Sequence, residues 1–73
     1  MRIVIQPSTE GYPVGSYELQ RTLDLLRDAT IQTQGGAIVN MEGARHGVVT
    51  LRAKADMRRA LDVLKHAGIR VSE

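Results

Sequence analysis

The chain contains no cysteine. With disulfides and thiolate zinc sites excluded, its 73 residues must be held by packing alone or by association. A chain this short buries only about 60% of its unfolded surface, which leaves room for one domain over 1–73 and no second core. Every apolar stripe must therefore serve the same core, and the small size makes a homodimer an expectation.

The stripes change period along the chain. MRIVIQ alternates, with Met1, Ile3 and Ile5 on one side and Arg2, Val4 and Gln6 on the other, as a half-buried strand does until Pro7 closes it. PSTEGYPVG collects turn-forming residues and reads as a loop. Ser16 is the predicted N-cap and Glu18 suits the positive end of the helix dipole. Leu19, Leu23 and Leu26, with Thr22 and Ala29, then make one amphipathic helix over Tyr17 to Ala29.

From Ile31 the period returns to two. Ala37, Val39 and Met41 are expected inward and Ile38, Asn40 and Glu42 outward, with a bend or bulge at Gly35-Gly36. EGARHG reads as a polar hairpin connection, after which VVTLRA alternates with Val49, Leu51 and Ala53 as the buried set. Asp56 is expected to cap a second helix with the stripe Met57, Ala60, Leu61, Leu64 and Ala67, ended by Gly68. Arg58, Asp62 and Lys65 are spaced to pair across its exposed face. IRVSE is a short last strand.

The order βαββαβ predicts an α+β, ferredoxin-like sandwich: a four-stranded antiparallel sheet with both helices on one face. The other face is left open. Its expected residues, Val4, Ile38, Val48 and Thr50 with Arg2, Arg52 and Arg70, suit a solvated face, a packing surface or a weak polyanion contact.

Composition narrows the function classes. Hydrophobic residues at 42% and charged residues at 25% are those of a chain that folds, and no segment approaches the ~20 apolar residues of a membrane span. A cytoplasmic location with no membrane partner is the expectation. The carboxy-terminal half is mildly basic, but its cations alternate with acids, and the chain has no Phe, no Trp and two Tyr. Nucleic-acid binding is therefore disfavoured, since base-stacking platforms are scarce. His46 in the hairpin connection and His66 on the second helix read as surface residues. Two distant histidines without cysteine make a poor metal set, and no nucleophile, base and orienter arrangement is visible. Neither a cofactor nor an enzymatic activity is expected. Met41 and Met57 read as core fillers.

RALDVLKHAGIRVSE, residues 59 to 73, carries an Ala-Leu-x-x-Leu helix, an Ala-Gly stop and an Ile-x-Val strand, while Leu19, Thr22, Leu23 and Leu26 lead to Ile31 in the first half. In these residues and in its order of elements the chain resembles the ACT domain, a small βαββαβ module that senses amino acids within metabolic enzymes and regulators. That family's loop carries an Asp or Asn, then two residues of which the second is often Pro, then Gly, then an apolar residue two positions later that opens the helix. Here Gly15 lies four residues before Leu19, so the loop is longer and the motif displaced.

EGYPVGSYEL, residues 10 to 19, thus has two readings. In one, Gly11, Tyr12, Gly15, Ser16 and Tyr17 form a ligand site, where helix amides meet a carboxylate and glycines allow close approach. In the other, the stretch is a surface turn with a capping serine. The resemblance implies a non-catalytic regulatory domain binding an amino acid or similar small carboxylate at a homodimer interface. The alternative is an assembly module of the same fold without a ligand.

Overall fold

A computed structural model describes residues 1–8 and 10–73; Thr9, inside the expected loop, lies outside the described residues. The elements are β1 (Arg2–Ile5), α1 (Ser16–Asp28), β2 (Thr33–Met41), β3 (Ala44–Leu51), a 3-10 turn (Lys54–Asp56), α2 (Met57–His66) and β4 (Val71–Ser72). The sheet is antiparallel in the order β2-β3-β1-β4. This is the ferredoxin-like arrangement predicted from the order of periods.

The core lies between the sheet and the two helices. Ile3 and Ile5 of β1 stand beside Val49 and Leu51 of β3, and Leu26 of α1 with Ala60 and Leu64 of α2 closes over them. All seven are at most 2% exposed. At about 25 cal/mol per Å² of apolar surface removed from water, this cluster is the main source of stability. Thr22, the one buried polar residue among those described, returns its hydroxyl to the Glu18 carbonyl at 2.9 Å.

The two halves repeat. LDLLRDATI at 23–31 and LDVLKHAGI at 61–69 match at an interval of 38, and α1 covers the same span as the 3-10 turn and α2 together. Both helices end alike: Ile31 N–H donates to Leu26 O and Thr30 N–H to Arg27 O, as Ile69 N–H does to Leu64 O and Gly68 N–H to Lys65 O. These are Schellman pairs, which need a left-handed residue. Gly68 adopts it freely at φ +81, whereas Thr30 is forced to φ +58. Gln6 N–H to Arg70 O at the end of β1 matches Arg52 N–H to Gln32 O past β3, an interval of 46. The difference of eight is the extra chain between β1 and α1.

Several local expectations are corrected. Gly15, not Ser16, is the N-cap of α1, and the Glu18 carboxylate accepts from its amide at 2.8 Å. In β2 the sides are reversed: Gly36, Ile38 and Asn40 share the helix face, while Ala37, Val39 and Met41 stand on the open one. A register shift between Thr33 and Gly36 moves the inward set from odd to even positions, which period counting from Ile31 cannot detect. Met41 is accordingly 37% exposed rather than a core filler. Ala53 lies past the end of β3 and is exposed. Asp56 stands at the N-cap of α2 without a capping bond, its carboxylate 3.4 Å from Arg59. Asp62 makes no ion pair with Arg58 or Lys65 among the described residues.

The hairpin is tighter than expected. Met41 pairs with Ala44, so the turn is Glu42-Gly43 alone, and Arg45 and His46 belong to β3. His46 is half-buried opposite Val39, not at a tip, with Nδ1 3.1 Å from Ala44 O. Glu42 and Gly43 have φ +52 and +79, the positive pair that a type I′ turn requires and that favours Asn-Gly. Glu42→Asn should therefore raise the urea midpoint, by about 0.5–1 kcal/mol of stability, with the slope unchanged.

Candidate functional site

In the longer connection of the first half, the described residues 6–8 and 10–15 form a built loop. Gly11 N–H and Tyr12 N–H donate to Ser8 O and Ser8 Oγ, and Ser8 N–H donates back to Tyr12 O. Arg70 Nη1 donates to Pro7 O at 3.0 Å, which ties the start of the loop to the residue just before β4. Val14 is 3% exposed and its N–H donates to Arg45 O on β3, which fixes the other end. A merely slack connector would show none of these ties.

The residues that the sequence grouped as one site do not come together. Gly15 and Ser16 line a groove of about 410 Å³ against β2, with Val14, Ile38, Asn40 and Arg45. Tyr12 and Tyr17 turn to the opposite side, onto a cleft of about 520 Å³ between the loop, α1 and the turn after α2. Gly11 sits at the tip and lines neither. Arg45 and Asn40, Arg21 and Arg70 are missed by a loop-centred reading. The unequal lengths of the two half-repeats are the signal that would have marked this region.

At the groove, the Glu18 carboxylate already holds the Gly15 amide, so negative charge stands at the start of α1. The Arg45 guanidinium supplies the positive charge there. The groove opens onto the outer edge of β2, whose sequence TQGGAIVNM has no charged residue. Because Met41 and Ala44 flank a two-residue turn, bonded pairs alternate from Met41 through Val39 to Ala37. Gly36, Ile38 and Asn40 thus aim their N–H and C=O groups away from β3. A long, uncharged edge is a template for another strand.

Elsewhere the chemistry is sparse. Among the described residues the open sheet face carries Arg2, Val4, Val39, His46, Val48 and Thr50 and no tyrosine. Arg52 and Arg27 line a cleft at the end of α1, Arg58 lies along α2 with Lys54 and Lys65, and Arg70 belongs to the tyrosine cleft. These cations are spread over three places rather than gathered into a basic patch. Among the described residues no three His, Asp or Glu side chains cluster as metal ligands, and no helix is long and apolar enough to cross a membrane. No protein-family model matches the chain, and no curated protein matches it.

Proposed function

We propose that the chain is a non-catalytic, ACT-like regulatory domain that works as a homodimer and binds an amino acid or similar small carboxylate. The observation that carries this reading is the open edge of β2 beside the groove of Gly15 and Ser16. Two copies related by a two-fold axis through Ile38 would pair Ile38 with the partner's Ile38 and Gly36 with the partner's Asn40. That register joins all six outward N–H and C=O groups of each edge, with Ala37 against the partner's Val39 and no like charges opposed. It also places the partner's strand against the groove, where Arg45 and Asn40 receive the ligand carboxylate.

The ligand-free assembly module is the second reading, favoured by the Glu18 carboxylate that already caps Gly15. Sedimentation equilibrium with and without each of the twenty amino acids separates the two. A dimer that tightens several-fold with one compound supports the sensor; a dimer indifferent to all supports the module. Asn40→Pro removes an outward N–H that an edge strand does not need for its own sheet, and should yield a folded monomer. A monomer in the unsubstituted protein, or a dimer unaffected by Asn40→Pro, ends both readings.

A further inference from the structure

The chain has two aromatic residues, and both stand on one cleft. Tyr12 and Tyr17 are 67% and 74% exposed, while the core contains no aromatic ring. Large rings left at the surface mark contact sites, because their area is released from water when something covers them. Beneath them the cleft is floored by the aliphatic side chains of Ile5, Val14 and Ile69.

Two guanidiniums share the cleft. Among the described residues neither Arg21 nor Arg70 has a carboxylate within ion-pair distance. Arg70 gives Nη1 to Pro7 O, and its fork of donors leaves others for a ligand. Among the described residues Glu18 is the one acid lining the cleft, and its Oε1 is engaged by the Gly15 amide. The balance of fixed charge therefore favours an anion. The volume, about 520 Å³, lies in the range of small-molecule sites.

We propose that this cleft is a second binding site, separate from the groove beside β2, for a small monocarboxylate with an apolar body. The carboxylate meets Arg21 and Arg70, and the body lies against Tyr12, Tyr17 and the aliphatic floor. Charge-assisted bonds orient the ligand, and burial of its apolar part supplies most of the affinity. The site belongs to the first half, since the connection between β1 and α1 is eight residues longer than its counterpart after β3.

Phenylacetate is the probe, with phenylacetamide as its uncharged control. The chain has no tryptophan, so its ultraviolet emission comes from Tyr12 and Tyr17 alone and reports this cleft. Titration should give a saturable change in tyrosine emission and in the tyrosine ring resonances. Binding should weaken about tenfold for phenylacetamide, and about tenfold in Arg21→Gln, an exposed helix position whose loss does not threaten folding. Tyr17→Ala should abolish saturation. Equal binding of acid and amide, undiminished binding in Arg21→Gln, or no tyrosine response overturns the proposal. Shifts confined to Gly15, Ser16 and Asn40 place the probe in the groove instead, which overturns this site and leaves the regulatory reading standing.

Discussion

Gly47→Val is expected to remove most of the protein's stability at room temperature. Gly47 is buried on β3, opposite Ile5 of β1 and Ile38 of β2. A Cβ there would lie 2.9 Å from Ile5 Cδ1, 3.3 Å from Ile5 Cβ and 3.4 Å from Val14 Cγ1. The first contact can yield by a rotamer change. The second cannot, because Ile5 Cβ is fixed by the β1 backbone, and a valine adds two further methyl groups to the same space. Overpacking of this kind costs about 1–3 kcal/mol, and more where the strands cannot part. A chain of this size has roughly 3–5 kcal/mol to lose. Because Val14 anchors the loop, its displacement should also free the ties at Ser8 and Tyr12. Urea unfolding followed by circular dichroism measures the loss. Thr50→Val, on the same strand but facing away from the helices, should stay within about 0.5 kcal/mol. Equal midpoints for Gly47→Val and the unsubstituted protein would mean that β1, β3 and the loop do not meet here.

The second large effect tests the repeat. Leu26 and Leu64 occupy matching turns of α1 and α2, and each is 0% exposed. Truncation of either to alanine removes buried methyl groups and opens a cavity that rigid neighbours only partly fill, a loss of about 2–5 kcal/mol. Leu26→Ala and Leu64→Ala should therefore destabilise to a similar degree, each enough to populate the unfolded state. Both leucines also supply the carbonyl that accepts the closing bond of a helix end, from Ile31 and Ile69. A backbone acceptor survives truncation, so the ends themselves should persist in the fraction that remains folded. If one variant is destabilised severely and the other is nearly neutral, the halves do not share the core equally. Both variants and the unsubstituted protein should gain stability at higher protein concentration if a dimer forms, with the losses unchanged, because association stabilises every folded chain by the same mass-action term.

Much of the architecture was legible from local patterning. The period of two in MRIVIQ, the leucine spacing of Leu19, Leu23 and Leu26, and the stop at Gly68 each depend on neighbours a few residues away. The irregularity at Gly35-Gly36 was also marked, because paired glycines advertise a bulge. Its effect was not: a shift of one residue exchanged the faces of Ile38 and Val39, and only pairing with Gly47 and His46 fixes which side meets the helices. The hairpin tip was misplaced for a related reason. Glu42 is a poor residue for positive φ, so the two-residue turn is imposed by the pairing of β2 with β3 rather than announced by its own chemistry.

The loop shows the same division. Its length and its turn residues are properties of the chain. Whether Tyr12 and Ser16 share a site depends on how that loop crosses between β3 and the end of α2, which long-range contacts decide. Val14 on Arg45 and Pro7 on Arg70 set the crossing, and it sends the tyrosines to one side and Gly15 with Ser16 to the other. By itself the sequence determined the order and type of the four strands and two α-helices, because short-range periodicity controls them. The tertiary structure alone decided which face, which edge and which cleft each side chain serves, because those follow from registers and contacts between residues far apart in the chain.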